Sequence, residues 1–311
     1  MKLRTELEPT SFSQRIEAGD QLFLIGSCFT EHIGQWLSDC WLPVCCNPWG
    51  VLFNPASIAR NLKRMQSPTA YNPPIIRNGN LYCSFDHHGS FSAPDKETVI
   101  KKIAETEEKA RQAFGQARHI LVTWGTAWVF EYNGEVVANC HKLPASLFSR
   151  RRMTAMEIVE DWIPLLQSNP DKHFVFNVSP IRHLADGLHG NELSKATLLL
   201  AIDELQTMFP EQVDYLPTYE LLIDDLRDYR FYADDLVHPS SLAIQAVKEL
   251  FVSGAAAPSL QTYLKEAEPI VKAFQHRPSD PDSQAHRQFL QQAQQKKEAL
   301  LKSLKARTSA T

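Results

Sequence analysis

Short apolar runs alternate along the chain with longer segments of helical spacing. The runs that predict buried strands are residues 21–25, 119–124, 173–178 and 213–216. The first run is followed by apolar residues at Ile33, Trp36 and Leu37, which is the spacing of an amphipathic helix. A further helix is expected from Ser194 to Phe209, ahead of the fourth run. This alternation predicts an α/β domain with a mostly parallel sheet and crossover helices.

The segment between the second and third runs has the pattern of a β-hairpin. Asn133 and Gly134 lie between two apolar runs, and this dipeptide is typical of two-residue hairpin turns. We therefore expect a β-hairpin inserted into the α/β scaffold, with Asn139, Cys140 and His141 at its exit.

A last scaffold helix is expected at residues 240–252, with Ser240 as its N-cap and Gly254 as its stop. Its predicted buried stripe consists of Leu242, Ala246, Val247 and Leu250. Because the composition changes after Gly254, the chain divides into an α/β domain at residues 1–254 and a helical extension at residues 255–311.

The carboxyl-terminal extension has the pattern of two helices joined by a Pro- and Asp-rich segment. The helices are expected at residues 263–274 and 289–304, with the joining segment at residues 276–283. The second helix is rich in Gln and Lys, with few apolar positions. Two interpretations stay open, an interaction or oligomerisation helix and a solvated helix that packs loosely on its own domain.

Composition and charge restrict the class of partner. The 311-residue chain has a net charge of −4 and no basic stripe, so we expect no nucleic acid. No apolar run approaches the roughly twenty residues that span a bilayer, and residues 1–6 lack the apolar stretch of a secretory signal. We therefore expect no membrane association. The six cysteines form no CxxC pair, which favours reduced thiols and a cytoplasmic location.

The first strand leads directly into a turn that carries a hydroxyl and a thiol. Gly26, Ser27 and Cys28 follow the apolar run and precede a helix. A strand, a tight turn and a helix start expose a nucleophile, and the free N–H groups of the helix stabilise a thiolate or an oxyanion. The pKa of a thiol at such a position falls from about 8.5 toward neutrality. Cys28 and Ser27 are both candidate nucleophiles, and a buried, noncatalytic Cys28 is the third interpretation.

The segment near residue 235 offers a carboxylate and an imidazole three residues apart. His238 is the candidate general base, and Asp235 is placed to bind its far ring nitrogen. Asp234 is adjacent and competes for that role. The alternative is a helix-capping Asp beside a surface His. Together with the nucleophile turn, this pair predicts a hydrolase or an acyltransferase.

Histidines and cysteines elsewhere raise the question of a metal. Asp86, His87 and His88 are consecutive, as are Cys140 and His141, and neighbours in a strand point to opposite faces. No segment has zinc-finger or HExxH spacing, and no Gly-rich phosphate loop is present. We therefore expect no metal and no other cofactor.

The order of these motifs resembles that of the SGNH or GDSL hydrolases, whose first motif follows strand one and whose last is Asp-x-x-His. Gly26-Ser27-Cys28-Phe29 is the sequence that names the GSCFA family, a branch of that superfamily. The resemblance covers residues 3–252 and leaves the tail outside it. The further segments similar to this family are residues 47–50, 53–55, 84–88, 123–128, 139–142 and 178–183.

The resemblance implies a three-layer, flavodoxin-like α/β fold of the SGNH type and an acyl-transfer chemistry. Aligned on the GDSL motif, Cys28 takes the position of the serine nucleophile. The implied oxyanion donors are the backbone N–H groups of Cys28 and Gly50. The third superfamily motif has an Asn where this chain has Gly125-Thr126-Ala127-Trp128, so we expect Thr126 or Asn139 to replace it. One missing donor costs on the order of a hundredfold in rate.

Other polar residues are candidates for binding a substrate. Because ligands bind at the carboxyl ends of parallel strands, the loop that carries Arg182 and His183 is favoured. Lys142 or Arg182 near the site would suit an acidic or phosphorylated substrate. Turn-stabilising hydrogen bonds are the alternative role. The full set of candidates is His87, His88, His141, Lys142, Arg182 and His183.

The sequence therefore predicts a hydrolase or an acyltransferase that acts on an ester or acyl group. The resemblance suggests a small-molecule or carbohydrate-ester substrate, such as an acetylated sugar. The alternative is a noncatalytic module that binds a ligand and retains the SGNH fold.

Overall fold

The computed structural model describes residues 4–8, 10–67, 71–281 and 283–308, with side chains through Lys305. Within these ranges the chain forms ten strands. They are β1 (Leu22–Gly26), β2 (Val44–Cys46), β3 (Ile75–Asn78), β4 (Leu81–Ser84), β5 (His119–Trp124), β6 (Trp128–Tyr132), β7 (Glu135–Val137), β8 (Ser149–Arg152), β9 (His173–Val178) and β10 (Val213–Tyr215).

The same ranges contain nine α-helical segments, and no described helix is long and apolar enough to cross a membrane. The sixth continues into a π-helical turn at Leu221–Leu226. The helices are α1 (Cys28–Asp39), α2 (Pro55–Met65), α3 (Lys96–Gln116), α4 (Ala155–Gln167), α5 (Gly187–Met208), α6 (Thr218–Glu220), α7 (Ser241–Gly254), α8 (Pro258–Gln275) and α9 (Gln284–Thr308).

The central sheet has five parallel strands in the order β10-β9-β5-β1-β2. Numbered along the chain, the sheet strands run 2-1-3-4-5, which is the flavodoxin arrangement. The predicted α/β fold with a parallel sheet is confirmed, and its four predicted strands are β1, β5, β9 and β10. The chain adds β2 on one side of β1 and then β5, β9 and β10 on the other side, so the strand order reverses between β1 and β5. The carboxyl ends of these two strands flank the crevice where such folds bind ligands.

Helices cover both faces of the sheet and give three layers. Along β1, Phe23 and Ile25 join the core beneath α2 to α5. The alternate residues, Leu22 and Leu24, join the core beneath α1, α7 and α8. Because successive strand residues point to opposite faces, the unbroken apolar run of β1 serves both cores.

The inserted hairpin is confirmed and is larger than predicted. Strands β6 and β7 pair in antiparallel fashion around Asn133 (φ 52°) and Gly134 (φ 82°), the conformation that this dipeptide favours. Strand β8 pairs with the other side of β6 to make a three-stranded sheet. A second antiparallel pair, β3 with β4, precedes α3 and was not predicted.

Helix α7 has the predicted cap and a different buried face. Ser240 Oγ accepts from the N–H of Ala243 at 3.5 Å. The prediction that Leu242 is buried is wrong, because its side chain is 59% exposed. The buried positions include Val247 and Phe251, and Phe251 packs edge-on against Trp36 of α1 at 6.0 Å between ring centroids. This contact turns the helix so that Leu242 faces outward.

The carboxyl-terminal helices pack on the α/β core. The Tyr263 hydroxyl of α8 donates to the carbonyl of Cys40 at 2.8 Å, and Leu260 beside it is fully buried. Helix α9 lies along α8 and buries Ala293 and Leu300. The extension therefore covers one helical layer of the domain.

Gly26 at the end of β1 is the tightest point of the sheet. Its φ is 147°, and a Cβ atom there would lie 2.2 Å from the Thr123 carbonyl oxygen of β5. We expect Gly26→Ala to lower the free energy of unfolding by about 2–4 kcal/mol, at the upper end of single substitutions, because backbone has to move. Urea denaturation measures the change.

Gly115 of α3 is the matched control for this substitution. A Cβ atom at Gly115 would meet nothing within 4 Å, so Gly115→Ala should be neutral or add up to about 1 kcal/mol of stability. Equal changes in the free energy of unfolding for the two substitutions would show that the close approach of Gly26 to β5 does not restrict the residue at this position.

Candidate active site

The nucleophile turn is held by hydrogen bonds from the segment after β2 and from β5. The N–H of Gly26 donates to Asn47 Oδ1 at 2.8 Å, and its carbonyl accepts from the N–H of Leu52 at 2.9 Å. The N–H of Ser27 donates to the Thr123 carbonyl at 3.2 Å. These bonds fix the chain at the carboxyl edge of the sheet, beside the crevice between β1 and β5.

Ser27 is the N-cap residue of α1, but its side chain makes no capping bond. Its hydroxyl is buried, with the residue 2% exposed, and has no hydrogen-bond partner among the residues that the structure describes. The amide nitrogen of Asn47 is likewise buried and without a partner in the described ranges. A buried polar atom without a partner costs about 1–3 kcal/mol, so both groups are available to bind a ligand atom at this turn.

Cys28 is the first residue of α1 and is partly exposed. The backbone N–H groups of Cys28 and Phe29 lower the pKa of its thiol, and so does the charge of Lys195. Burial is the largest influence, and together with Glu31 it raises the pKa above its usual value. The prediction that the pKa of Cys28 falls toward neutrality is wrong, because burial raises this pKa by more than the N–H groups at the start of α1 lower it.

Asp235 and His238 form the predicted pair. Nδ1 of His238 lies 2.6 Å from Asp235 Oδ2, and Asp235 Oδ1 accepts from the N–H groups of Val237 at 3.0 Å and His238 at 2.9 Å. These bonds lower the pKa of Asp235 to about 2. The imidazole of His238 therefore forms its hydrogen bond with Asp235 and not with Asp234. Both side chains are about half exposed, and neither of them lines the cavity described below.

Lys195 of α5 is a site residue that sequence reasoning missed. Its Nζ donates to the carbonyls of Gly125 at 2.6 Å and Ser179 at 2.7 Å, which follow β5 and β9. The side chain is fully buried, and burial lowers its pKa to about 7. The signal in the sequence was its helical spacing from Leu198 and Ile202, which puts a lysine on the buried stripe of α5.

His32 was also missed, although it lies one helical turn after Cys28. Burial lowers the pKa of His32, and the nearby positive charges of His238 and Lys248 lower it further. The loop that carries His238 therefore lies close to the first turns of α1. The i to i+4 spacing of Cys28 and His32 was the available signal.

Of the expected oxyanion donors, Gly50 and Thr126 make hydrogen bonds elsewhere, whereas Asn139 is held through its side-chain oxygen. The N–H of Gly50 donates to the Asn47 carbonyl at 2.8 Å and closes a turn, so it is not a free donor as the resemblance implied. The Thr126 hydroxyl accepts from the N–H of Trp128 at 3.1 Å and lies 3.0 Å from Ser194 Oγ. Asn139 Oδ1 accepts from the N–H of His141 at 2.8 Å.

A cavity of about 800 Å³ opens between the inserted sheet and the loops after β2, β5 and β9. Its walls are largely apolar and include four aromatic side chains, Phe53, Trp128, Phe130 and Phe148. Arg150 pairs with Asp186 at the cavity and stacks over the Trp128 ring at 4.5 Å, so these two charges neutralise each other. The predicted site residues that line the cavity are His88, Thr126, Asn139 and His183.

Arg182 and His183 connect the loop after β9 to the site. The guanidinium of Arg182 lies 4.9 Å from the ring centroid of Tyr232, at the start of the loop that carries Asp235. His183 bonds the Gly125 carbonyl, and burial together with the charge of Lys195 lowers its pKa to about 4. His183 is therefore neutral at physiological pH.

The other histidine candidates have local structural partners. His87 is fully buried, its Nδ1 lies 3.0 Å from Ser84 Oγ, and burial lowers its pKa to about 3. His141 Nε2 lies 2.7 Å from the Ser84 carbonyl. His88 Nδ1 accepts from the N–H of Ser90 at 3.2 Å. Lys142 is exposed in a left-handed turn after the hairpin, with φ 57°.

In the described part of the chain, no three side chains of His, Cys, Asp or Glu come together as a metal site. The consecutive residues Asp86, His87 and His88 diverge. Asp86 binds the guanidinium of Arg60 at 3.0 Å, whereas His87 packs into the core and His88 faces the cavity.

The chain has a distant likeness to a solved structure. One similar chain is a protein described provisionally as a platelet activating factor from Streptococcus pneumonia, with 11% sequence identity and a TM-score of 0.38. The match covers 80% of this chain and 85% of that chain. No curated protein matches the sequence.

Family models match most of the sequence. The model of the GSCFA family matches residues 21–251, which include the nucleophile turn and the Asp235–His238 pair. The model of the C-terminal domain of GSCFA domain proteins matches residues 267–308, so the resemblance extends into the tail that the motifs alone left outside it. The chain therefore belongs to the GSCFA family.

Proposed function

We propose that this protein is a hydrolase or an acyltransferase of the SGNH type that acts on an ester or acyl group. The observation that supports this most is the bond of 2.6 Å between Asp235 and the ring of His238. A carboxylate that binds one ring nitrogen leaves the other available as a base, which is the arrangement that nucleophilic catalysis requires. The strand, turn and helix at Cys28 supply the second half of such a site.

In the proposed reaction, Cys28 Sγ attacks the acyl carbon while Nε2 of His238 takes the thiol proton. Asp235, which its low pKa keeps ionised at neutral pH, stabilises the resulting imidazolium. The imidazolium then protonates the leaving alcohol, and the acyl group remains on Cys28 as a thioester. Water or an acceptor hydroxyl completes the cycle by the reverse proton transfers.

Ser27 is the alternative nucleophile. Its hydroxyl is buried and without a partner in the described part of the chain. No hydrogen bond therefore has to break before the Ser27 oxygen attacks an acyl carbon. Cys28 is preferred because it keeps the alignment with the GDSL motif and because its sulfur lies against the N–H groups that begin α1.

The oxyanion is proposed to bind the backbone N–H of Cys28 and the amide nitrogen of Asn47. Asn47 already fixes Gly26 through its oxygen, and its buried nitrogen has no partner within the described ranges. Gly50 would contribute only after its turn bond to Asn47 opens. Thr126 and Asn139 are proposed to contact the substrate from the cavity.

The cavity is the proposed site for the non-reacting part of the substrate. Its aromatic walls suit the apolar face of a sugar ring or an acyl chain, and its paired Arg150 and Asp186 favour a neutral group. His88 and His183 would supply hydrogen bonds, while Arg182 and Lys142 would bind an acidic group outside the cavity. A Cys28 nucleophile needs a reduced thiol, which fits the cytoplasmic location expected from the cysteine pattern.

A noncatalytic binding module is the second candidate function. The raised pKa of Cys28 and the engaged N–H of Gly50 favour it, because both features oppose acyl transfer. The binding module and the enzyme would use the same fold and cavity. The two candidate functions differ in whether His238 acts as a general base.

We expect His238→Ala to lower turnover of p-nitrophenyl acetate by about 10²–10⁴-fold, because the variant lacks the general base. Folding should be unaffected, since the side chain is exposed. His276→Ala removes an equally exposed histidine at the end of α8 and should keep full activity. Equal turnover in all three proteins would favour the binding module.

We expect a single turnover with p-nitrophenyl acetate to leave one acetyl group on Cys28. Fragmentation mass spectrometry of the peptide that contains both candidates distinguishes the thiol from the hydroxyl. Cys28→Ala should abolish the adduct, and Ser27→Ala should retain it. An acetyl group on Ser27 in the wild type would show that Ser27, and not Cys28, is the nucleophile.

We expect Phe130→Ala to raise KM three- to tenfold with little change in kcat, because the side chain lines the cavity away from the reacting atoms. Steady-state kinetics with an acetylated aryl glycoside measures both constants. Leu81→Ala, which removes an exposed apolar side chain from β4, is the control. A loss confined to kcat would contradict this role of the cavity.

A further inference from the structure

Helices α8 and α9 form a groove that lies outside the candidate active site. The groove encloses about 500 Å³, and all of its lining residues belong to these two helices. Among them, Ile270, Ala293 and Leu300 are buried, whereas Phe289 is 42% exposed. An exposed aromatic side chain beside buried apolar residues marks a surface that a further element can cover. We call this surface the α8–α9 groove.

Lining residues on both walls of the α8–α9 groove have the spacing of helices that pack in bundles. On α8, Glu266, Ile270 and Ala273 are separated by four and then three residues. On α9 the separations alternate in the same way, and the residues are Phe289, Ala293, Lys296, Leu300 and Ser303. This alternation is the seam spacing of coiled coils and helical bundles. Each wall therefore presents the kind of surface against which another helix packs.

The two helices run antiparallel, so their residues can be matched level by level. A short segment joins the end of α8 to the start of α9, and the rings of His276 and His286 lie 6.4 Å apart at this connected end. Ten residues from these histidines lie Glu266 on α8 and Lys296 on α9, each about 15 Å along its helix. Both side chains are exposed and line the groove. An acidic group on one wall therefore lies level with a basic group on the other.

The same matching places a large side chain level with a small one. Three residues from the two histidines lie Ala273 on α8 and Phe289 on α9. The ring of Phe289 lies 5.9 Å from that of His276 between centroids, so this part of α9 is beside the end of α8. The α8 wall is therefore acidic at one level and small at another, where the α9 wall is basic and large.

We propose that the α8–α9 groove is the interface of a homodimer, in which the α8–α9 hairpins of two copies form a four-helix bundle. A two-fold axis parallel to the groove sets the α8 wall of each copy against the α9 wall of the other at the same level. Glu266 then faces Lys296 of the second copy, and Ala273 receives Phe289 of the second copy. Every neighbouring pair of helices in this bundle is antiparallel.

Charge complementarity is what commits the groove to a second copy of this chain. The two-fold axis repeats each contact, so the interface gains two ion pairs and covers two aromatic rings. An axis across the groove would instead bring Glu266 against Glu266 and Lys296 against Lys296, so the charges select the first arrangement. The dimer uses no residue of the candidate active site, and the inference is independent of the proposed reaction.

The test is the mass in solution, measured by light scattering after size-exclusion chromatography over a range of protein concentrations. We expect the wild type to shift with rising concentration from the 35.3 kDa of one chain to twice that mass. Glu266→Lys and Lys296→Glu each place like charges opposite each other at two points, so each should raise the dissociation constant about tenfold or more. An equimolar mixture of the two variants should restore the dimer, because the new lysine of one chain faces the new glutamate of the other.

Matched controls make the same charge changes outside the groove. Glu298→Lys and Lys302→Glu alter exposed residues of α9 that do not line it, and both should dimerise like the wild type. Phe289→Ala should raise the dissociation constant about tenfold or more, because the ring that covers Ala273 of the other copy is lost.

Three results overturn the proposal. The first is a wild type that stays monomeric up to its solubility limit, which would leave the groove to a different partner. The second is a dimer that Glu266→Lys and Lys296→Glu do not weaken more than the controls do, which would place the interface elsewhere. The third is a mixture of these two variants that stays monomeric. Recovery of the dimer in the mixture also shows that both variants are folded, and circular dichroism checks the folding of Phe289→Ala.

Discussion

The close approach of β1 to β5 at Gly26 is the constraint on which the site depends. Only a residue without a Cβ atom fits against the Thr123 carbonyl at this point. Because β1 ends there, the next residues leave the sheet at once and α1 begins at Cys28, directly above the strand ends. A wider turn would move Cys28 away from the carboxyl end of β1 and from the loops that follow β5 and β9.

Buried polar groups join β5 and β9 at both ends. At the carboxyl ends, Lys195 bridges their two exit loops. At the amino ends, His119 and His173 face each other at 3.0 Å between Nδ1 atoms, and their outer nitrogens reach Asp20 and Asp214. Each histidine therefore contacts the other through Nδ1 and a carboxylate through Nε2. Polar anchors therefore fix the strands that shape the crevice.

Sequence patterns predicted the central strands and the nucleophile turn, because long buried runs and Gly-rich turns are local signals. Strand β2 was missed, since three half-buried residues at the sheet edge make too short an apolar run to indicate a strand. Leu242 was misplaced because the contact of Phe251 with Trp36 sets the orientation of α7. The Asp235–His238 bond was predictable from a spacing of three. Lys195 was not found, because its partners lie about 16 and 70 residues away in the chain.

The segment from Gly125 to Ala127 binds one step of α5 through three consecutive residues. The Thr126 hydroxyl and the N–H of Ala127 both bond Ser194 Oγ, at 3.0 and 2.8 Å. The carbonyl of Gly125 accepts from Lys195, the next residue of α5. These three consecutive residues therefore anchor α5 by its Ser194–Lys195 step. Because Lys195 also binds the carbonyl of Ser179, one step of α5 fixes the exit loops of β5 and β9 against each other at the edge of the sheet where β1 ends.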